Sequence, residues 1–387
     1  MVQKNGRFIF SIPLNFLLGC TSYIVPKERN FFILGAREGN FFADNPKYLY
    51  LYANKIKDKN KFVWITRSKE VFKKLKGKKL PVLYMNSLKT FWSILRAEKL
   101  IISNTSEDVS YYKLLPGRFK FIEVWHGSPI KELPFPSKGI TMKGKINGFM
   151  LRKEYANYEF VLHTCERTKD QLENCFVTKN VNILGYPRND YLFKPTNFER
   201  LPNTNKYKKI LFYLPTYRDK KPSKPPFTKK GLEDLNKFLK EKKYLLIVKK
   251  HFAEKNLEII KEEYSNIIDV SYITDCQEIL SRIDILIADY SSATFDFSLL
   301  NKPIIFYPYD YNEYRQKSRK IIIDYFNELP GPFACTEKDL IKLIKNVEEW
   351  FKDKDYKKKY KKFVDKFNKF QDANSSKRVY EEIINKG

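Results

Sequence analysis

The sequence predicts an α/β protein with two parallel, doubly wound sheets. Short apolar runs alternate with Lys-rich segments of helical spacing, as in Asn45–Lys55, and parallel sheets covered by helices have this pattern. A polar stretch with two prolines at 193–209 indicates a linker between two such series. A chain of 387 residues is long enough for two domains. We therefore expect domains at 26–197 and 198–387, after a separate segment at 1–25.

The predicted strands fall into two series. The first contains the runs NFFILGAR, KFVWITR, LPVLYMN, KLIISN and KFIEVWHG, and the second contains KILFYLPTYRD, YLLIVKKH, IIDVSYI, IDILIADYSS and KPIIFYPYD. Two such series indicate two Rossmann-like domains that face a central cleft. Ligands of these folds bind at the carboxyl ends of the strands. The polar residues that follow each run are therefore the candidates for a site.

The amino-terminal stretch Phe8–Pro26 carries no charge and is flanked by basic residues. A membrane-spanning helix needs about 20 strongly apolar residues, and Pro13, Asn15 and Gly19 interrupt this stretch. A secretory signal is another alternative, because LLGC resembles a lipoprotein cleavage site. A helix that lies on the membrane surface or packs against the core fits the pattern best. We expect a membrane-associating segment here.

The last fifty or so residues of the chain are predicted to be helical. Apolar residues recur there at helical spacing, with Lys and Glu between them. The basic run DKDYKKKYKKF is typical of a solvated helix face rather than of a lipid or nucleic-acid patch. The apolar stripe consists of Leu340, Leu343, Ile344, Val347 and Phe351.

Several common cofactor sites have no counterpart in the sequence. Neither half contains the G-x-G-x-x-G pattern of dinucleotide binding or a P-loop. The five cysteines are scattered without C-x-x-C spacing. No carboxylate cluster has the spacing of metal ligands. We therefore expect that no metal or cofactor is required.

The strong positive charge of the chain indicates a negatively charged partner. With 73 Lys and Arg against 45 Asp and Glu, the formal net charge is +28, which attracts nucleic acid, anionic lipid or phosphorylated substrates. Charge alone does not choose among the three.

Polar and cationic residues follow the predicted strands of the second half. Asp289 ends one strand, and Ser291 and Ser292 come where the next helix must start, so that its free N–H groups and dipole could bind phosphate. Ordinary helix capping by serine is the alternative. Further candidates after the strands of this half are Thr216, Arg218, Asp219, Lys249 and His251, together with Asp296 in the helix.

The first half contributes a histidine and a cationic loop. His126 lies in VWHGSPIKEL, followed by Gly127 and Ser128, and Arg188, Asn189 and Asp190 lie in GYPRND. Arg188 and Asp190 could also simply pair across their loop. His163 ends an apolar run, and we interpret it as a structural interior residue.

Taken in order, the motifs WHGSPIKEL, GYPRND, LPTYRD, VKKH and DYSSATFDFSLLNKPIIFYPYDYNEYR resemble the CDP-glycerol glycerophosphotransferases of teichoic-acid and capsule synthesis. The resemblance runs from about residue 44 to about residue 383. It implies a GT-B fold and the transfer of a polyol phosphate, most readily glycerol phosphate, from a CDP-activated donor to an acceptor hydroxyl, with release of CMP.

The resemblance also implies roles for individual residues. His126 matches the histidine that is taken as catalytic base in the family. His251, Ser291 and Ser292 match residues associated with the donor pyrophosphate, and we group Arg188 with them. The remaining candidates, Gly127, Ser128, Asn189, Asp190, Thr216, Arg218, Asp219, Lys249, Asp289 and Asp296, are assigned to donor binding or to its support.

Two other classes of function stay open at this point. A glycosyltransferase of the same fold would use a nucleotide sugar and a sugar-binding carboxylate, for which Asp296 could serve. A non-enzymatic basic protein would bind nucleic acid or lipid. We favour the phosphotransferase, with CDP-glycerol or CDP-ribitol as donor, a lipid-linked or capsular glycan as acceptor, and no nucleic acid. Its expected place is the cytoplasmic face of the bacterial membrane, as a peripheral protein.

Overall fold

The computed structural model describes residues 18–85, 87–111, 117–134, 142–195, 204–218, 224–250, 259–260 and 263–385. The predictions for His251, for Asp219 and for residues 8–17 fall outside these ranges. The chain divides into two compact units. The first unit comprises Met1–His126, Leu133–Asp190 and Asp372–Gly387, and the second comprises Gly127–Glu132 and Tyr191–Gln371.

The first unit contains a sheet of seven parallel strands in the order β3-β2-β1-β4-β5-β6-β7. Strands β1, β4 and β5 are therefore neighbours, and their carboxyl ends lie at one edge of the sheet. The strands are β1 (Glu28–Leu34), β2 (Lys61–Thr66), β3 (Val82–Tyr84), β4 (Ala97–Ile102), β5 (Phe121–Glu123), β6 (Tyr158–His163) and β7 (Val181–Ile183).

Helices of the first unit connect these strands. Serine side chains cap two of them, since Ser68 accepts a hydrogen bond from the N–H of Val71 and Ser87 accepts from that of Thr90. The helices are Asp44–Ile56, Lys69–Gly77, Leu88–Arg96, Met142–Tyr155, Lys169–Phe176 and Ser375–Asn385, with short 3-10 turns at Arg37–Gly39, Ser106–Asp108 and Pro187–Asn189. A short helix, Asp190–Phe193, lies at the boundary to the second unit.

The second unit contains five parallel strands in the order β10-β9-β8-β11-β12. They are β8 (Lys209–Leu214), β9 (Tyr244–Val248), β10 (Ile267–Asp269), β11 (Ile285–Ala288) and β12 (Ile304–Phe306). Its helices are Lys229–Lys242, Gln277–Leu280, Ala293–Ser298, Tyr311–Lys317, Tyr325–Glu328, Glu337–Lys345, Val347–Trp350 and Lys354–Phe367.

Both cores follow from the apolar runs of the sequence. Residues of β4 and β11 are buried on both faces of their strands, as in Leu100, Ile101 and Ile102, because helices cover each side of a parallel sheet. The prediction of two parallel α/β sheets is confirmed. In the second unit, the predicted apolar stripe packs inward at Leu340, Ile344 and Val347.

The carboxyl-terminal helix differs from the predicted division of the chain. We expected 198–387 to form one domain, but Ser375–Asn385 belongs to the first unit. Val379 and Ile383 are buried in the core of that unit, and the buried ammonium of Lys99 donates to the carbonyl of Ile383 at 2.9 Å. The helix returns to the first unit because its apolar face completes that core. Residues 127–132 belong to the second unit, which the predicted boundary at 197 also missed.

The end of the uncharged amino-terminal stretch is helical over residues 18–24. Leu18 and Val25 pack into the core of the first unit, whereas Tyr23 and Ile24 are 65% and 82% exposed. The Ser22 hydroxyl accepts a hydrogen bond from the N–H of Arg118 at 2.7 Å. Within the described ranges, no helix combines the length and the apolar character needed to cross a membrane.

Candidate active site

His126 lies three residues beyond β5, in the loop that follows the strand. Its Nδ1 atom is 2.8 Å from the carbonyl oxygen of Ser103, which follows the neighbouring strand β4. A carbonyl oxygen can only accept a hydrogen bond, so Nδ1 carries the proton of the neutral imidazole. The Nε2 atom then holds the lone pair, and it has no hydrogen-bond partner among the described residues. This arrangement presents a proton acceptor.

The surroundings of His126 keep the ring neutral. Burial, together with the positive charge of Arg37, lowers the pKa of His126 from 6.5 to about 4. Asp44 acts in the opposite direction but does not outweigh them. The ring also packs against Trp125, with 3.9 Å between the ring centres. At neutral pH the imidazole is therefore a base rather than a cation.

A buried ion pair joins this loop to the helix that follows β1. The Nη1 atom of Arg188 lies 2.7 Å from Oδ1 of Asp44 and 2.8 Å from the carbonyl oxygen of His126. The other carboxylate oxygen of Asp44 accepts from Arg37 at 2.8 Å. Burial disfavours ionisation of Asp44, but Arg188 and Arg37 prevail and lower its pKa to about 2. Asp44 is therefore a permanent anion next to the loop.

A second carboxylate supports the hydrogen-bond partner of His126. Asp108 is fully buried and accepts hydrogen bonds from the N–H of Ser103 at 2.9 Å and the N–H of Glu38 at 2.7 Å. Burial raises the pKa of Asp108 to about 7, although these hydrogen bonds act against the shift. Through Ser103, Asp108 fixes the carbonyl that orients the imidazole.

A third buried carboxylate lies directly beneath the loop. Oε1 of Glu123 accepts a hydrogen bond from the N–H of Trp125 at 2.8 Å, and Oε2 has no partner among the described residues. Burial raises the pKa of Glu123 well above its usual value, and the neighbouring Asp108 adds to the effect. Glu123 therefore favours its neutral form.

In the second unit, the predicted residues Thr216, Arg218 and Asp289 come together at the carboxyl ends of β8 and β11. Asp289 accepts hydrogen bonds from the Thr216 hydroxyl at 2.6 Å and from Arg218 Nη1 at 2.7 Å. Arg218 also makes two hydrogen bonds of 3.0 Å to Asp310, beyond β12. The Tyr290 hydroxyl donates to Asp310 at 3.0 Å. These hydrogen bonds join the loops that follow β8, β11 and β12.

Two serines and a lysine at the same edge are less engaged. Ser292 precedes the helix Ala293–Ser298, but its side chain makes no capping hydrogen bond. The Ser291 hydroxyl accepts from the N–H of Ala293 at 3.3 Å. Lys249 follows β9 and is only 6% exposed, yet it forms no ion pair with the described residues. Hydroxyl groups and an unpaired ammonium are suited to binding an anion.

The remaining predicted residues have mainly structural contacts. Asp190 accepts hydrogen bonds from the N–H groups of Ser375 at 2.9 Å and Ser376 at 2.7 Å, at the start of the carboxyl-terminal helix. The alternative that Asp190 pairs with Arg188 is therefore wrong. Asp296 is buried and accepts from Gln277 at 3.1 Å. Gly127 has a φ of 145°, a conformation that suits glycine. Asn189 and Ser128 are both buried.

His163 is a buried structural residue, as predicted. Its ring nitrogens lie 3.2 Å from the Tyr186 hydroxyl and 2.9 Å from the Thr168 hydroxyl. Burial, together with Lys169, lowers its pKa to about 3. In the part of the chain that the structure describes, no group of three or more His, Cys, Asp or Glu side chains is placed to hold a metal ion.

The sequence matches the family of CDP-glycerol:poly(glycerophosphate) glycerophosphotransferases over residues 18–385. The chain belongs to this family. The prediction of a glycerophosphotransferase that uses a CDP-activated donor is therefore confirmed, and the protein is an enzyme of that class.

Individual relatives of this glycerophosphotransferase cover almost the whole chain. It is 28% identical over 383 residues to the teichoic acid poly(glycerol phosphate) polymerase of Bacillus spizizenii, covering 93% of each chain. It is also 28% identical over 377 residues to the teichoic acid glycerol-phosphate transferase of Staphylococcus aureus, covering 92% of this chain and 93% of the relative.

A solved structure shares the fold of the glycerophosphotransferase. The wall teichoic acid polymerase TagF matches with a TM-score of 0.78 and 24% identity, over 98% of this chain and 96% of that chain. The prediction of a GT-B type α/β fold is confirmed by this likeness.

Sequence reasoning missed several residues of the candidate site. Asp44, Asn45, Ser103 and Asp108 surround the His126 loop, and Asp310 completes the cluster around Arg218. A signal for Ser103 and Asp310 was available, since both follow apolar runs at the carboxyl edge of a sheet. Binding of the donor by Arg188 stays a prediction, because its described contacts are with the His126 loop and Asp44.

Proposed function

We propose that this enzyme transfers glycerol phosphate from CDP-glycerol to a hydroxyl group of a teichoic acid or capsular glycan, or of its lipid-linked precursor, with His126 as general base. The observation that carries the mechanism is the hydrogen bond between Nδ1 of His126 and the carbonyl of Ser103. The description of the family and the names of the two relatives support glycerol phosphate as the transferred group and a teichoic acid as the acceptor.

In the reaction, the acceptor oxygen attacks the phosphorus atom that carries glycerol, while Nε2 of His126 takes the hydroxyl proton. The bond from this phosphorus to the bridging oxygen of the diphosphate breaks, and CMP leaves. A general base contributes about 10²–10⁴-fold to such a step. His126 is available as a base because its pKa of about 4 keeps it neutral at pH 7. The negative charge of the bound donor raises that pKa towards neutrality and so strengthens the base.

Lys249, Ser291 and Ser292 bind the diphosphate of the donor, together with His251. The charge that develops on the departing CMP needs fixed cations and hydrogen-bond donors, which supply most of the catalysis in phosphoryl transfer. Two observations support this assignment: Lys249 is buried without an ion pair to any described residue, and the Ser292 hydroxyl makes no capping hydrogen bond. Thr216, Arg218 and Asp289 hold the loop on which Ser291 and Ser292 lie.

The enzyme works as a peripheral protein at the cytoplasmic face of the bacterial membrane, where a soluble CDP donor can meet a lipid-linked acceptor. The exposed side chains of Tyr23 and Ile24 support this location, since they lie next to each other on the surface of the amino-terminal helix. The net charge of +28 adds attraction to anionic lipid. CDP-ribitol remains the second donor to compare.

The test is CMP release by the purified protein from CDP-glycerol, CDP-ribitol and nucleotide sugars, with a glycerol phosphate primer on a lipid carrier as acceptor. We expect CMP from CDP-glycerol in the wild type. His126→Asn retains a side-chain N–H that can donate to Ser103 but has no base, so it should lose about 10²–10⁴-fold in kcat. Calorimetry should show unchanged binding of CDP to this variant.

The matched control is His163→Asn, which makes the same change at the buried histidine bound to Tyr186 and Thr168. It should lower stability but keep the turnover of each folded molecule. If His126→Asn releases CMP at the rate of the wild type, His126 is not the base. If the wild type releases UDP from a nucleotide sugar and no CMP, the protein is a glycosyltransferase instead.

A further inference from the structure

Three consecutive backbone carbonyls of the His126 loop are bound by side chains. Nδ2 of Asn45 donates to the carbonyl of Val124 at 2.8 Å and to that of Trp125 at 2.9 Å. Nη1 of Arg188 donates to the carbonyl of His126 at 2.8 Å. The backbone of the loop is therefore fixed at every residue from the strand end to the histidine.

These side chains also bind one another. Oδ1 of Asn45 accepts a hydrogen bond from the backbone N–H of Arg188 at 3.2 Å, and Oδ1 of Asp44 accepts from Arg188 Nη1 at 2.7 Å and from the N–H of Asn45 at 3.0 Å. All three residues are buried, and Asn45 is fully so. We refer to Asp44, Asn45 and Arg188 as the loop clamp.

The loop clamp holds a backbone conformation that the chain would not choose by itself. Trp125 has a φ of 50° and Asp44 has a φ of 65°, both in the left-handed region that is unfavourable for residues other than glycine. Without the hydrogen bonds that Asn45 donates to the carbonyls of Val124 and Trp125, the backbone of Trp125 would relax to a commoner conformation. Because His126 is the next residue, this change would rotate its ring away from the Ser103 carbonyl.

We propose that Asn45 is a positioning residue for the transfer reaction, which it serves by holding the carbonyls of Val124 and Trp125 so that Nε2 of His126 faces the acceptor hydroxyl. This inference rests on the proposed role of His126 as base. Asn45 is fully buried, so it acts through the loop rather than on the substrate. A misplacement of about 1 Å is enough to cost about 10²-fold in rate.

The test replaces the amide of Asn45 by a group of the same shape that has at most one proton to donate. Asn45→Asp keeps an oxygen for the N–H of Arg188, but a carboxyl group has one hydrogen when protonated and none when ionised, so it cannot make both bonds to the loop. We expect kcat to fall by about 10²-fold, with the KM for CDP-glycerol unchanged. The NMR signal of the His126 Nδ1 proton should shift or broaden, because the ring no longer holds its bond to Ser103.

Asn54 provides a matched control on the same helix. Its Nδ2 atom also donates to two backbone carbonyls, those of Tyr50 at 2.9 Å and Phe62 at 3.3 Å, but neither belongs to the His126 loop. Asn54→Asp should lower thermal stability and leave kcat of the folded enzyme and the His126 signal unchanged. If Asn45→Asp does not fold, Asn45→Ala removes the same donor without adding a buried charge.

The outcomes separate the two proposals. If His126→Asn is inactive but the Asn45 variants retain full kcat, or lose it only in proportion to unfolding as Asn54→Asp does, Asn45 is structural and the inference is overturned. If His126→Asn is fully active, the role of His126 as base fails and the inference fails with it. Loss of kcat at constant KM, with a changed His126 signal, supports the positioning role.

Discussion

The Nδ1 atom of His126 and the carbonyl oxygen of Ser103 lie 2.8 Å apart, and this contact fixes the tautomer of the proposed base. We expect the neutral ring to be protonated at Nδ1, with Nε2 free. Long-range ¹H–¹⁵N NMR of histidine-labelled protein can test this, since the chain has only 3 histidines. The signals can be assigned with His126→Asn and His163→Asn. A neutral His126 protonated at Nε2 would contradict the mechanism.

The lowered pKa of His126 predicts how stability depends on pH. Between about pH 4 and pH 6.5, the unfolded chain binds a proton on this ring and the native protein does not. The free energy of unfolding should therefore rise with pH across this window. The stability that the neutral ring of His126 contributes should be fully present above pH 6.5 and should be lost as the pH falls towards 4. Denaturation at several pH values measures it, and the slope should be smaller in His126→Asn. An equal slope in both proteins would show that the pKa is not shifted.

The two serines before the helix Ala293–Ser298 should behave differently. Ser292→Ala removes a hydroxyl without a capping bond, so it should weaken CDP binding by about 1.5–3 kcal/mol, the range for hydrogen bonds to charged groups, and leave stability unchanged. Ser291→Ala should lower both the CDP affinity and the stability, since the Ser291 hydroxyl also accepts a hydrogen bond from the N–H of Ala293. Calorimetry and thermal unfolding give the two quantities. The control is Ser281→Ala. A normal CDP affinity in Ser292→Ala would exclude the Ser292 hydroxyl from the donor site.

Arg218 should be important for stability as well as for activity. It is buried between Asp289 and Asp310, and removal of one partner from such a buried group costs about 3–5 kcal/mol. Arg218→Ala should therefore lose stability of that order in chemical denaturation. The exposed pair of Lys230 and Asp234 is the control, since Lys230→Ala should leave stability almost unchanged. Similar losses in the two variants would refute the structural role of Arg218.

Membrane binding should depend on the exposed face of the amino-terminal helix. Deletion of residues 1–25 would also remove Leu18 and Val25 from the core of the first unit. The double variant Tyr23→Ser with Ile24→Ser changes only exposed side chains, so it is the more specific test. With phosphatidylglycerol vesicles, the wild type should stay bound at high salt, whereas the double variant should detach, because only the charge attraction is screened. Co-sedimentation over a salt series measures this. Tyr272→Ser, at a residue 56% exposed in the second unit, is the control. A wild type that never sediments would exclude a membrane location.

The local pattern of apolar and polar residues was sufficient to predict the two sheets. It also predicted that polar residues lie at the carboxyl ends of the strands. Apolar runs such as KLIISN and IDILIADYSS became β4 and β11, because strands buried on both faces need continuous apolar sequence. Strand β7 (Val181–Ile183) was not predicted, because Asn182 interrupts its three residues and leaves no continuous apolar run. The run that contains His163 became β6, although it was not counted among the first series of predicted strands.

The partners of the candidate residues could not be predicted in the same way. Arg188 is separated by 144 residues from Asp44, and Asp190 by 185 residues from Ser375. No local pattern encodes such pairs, because they exist only after the strands have been ordered and the carboxyl-terminal helix has returned to the first unit.

By itself, the sequence determined the fold class, the family and the place of His126 after a buried strand, since each depends on residue types within a short stretch. The tertiary structure decided which atom of His126 is free to take a proton. It also decided that Arg218 and Asp289 support loops and that Asp190 holds a helix. The physical reason is that the protonation, burial and pairing of a side chain depend on neighbours that only the folded chain brings within hydrogen-bond distance.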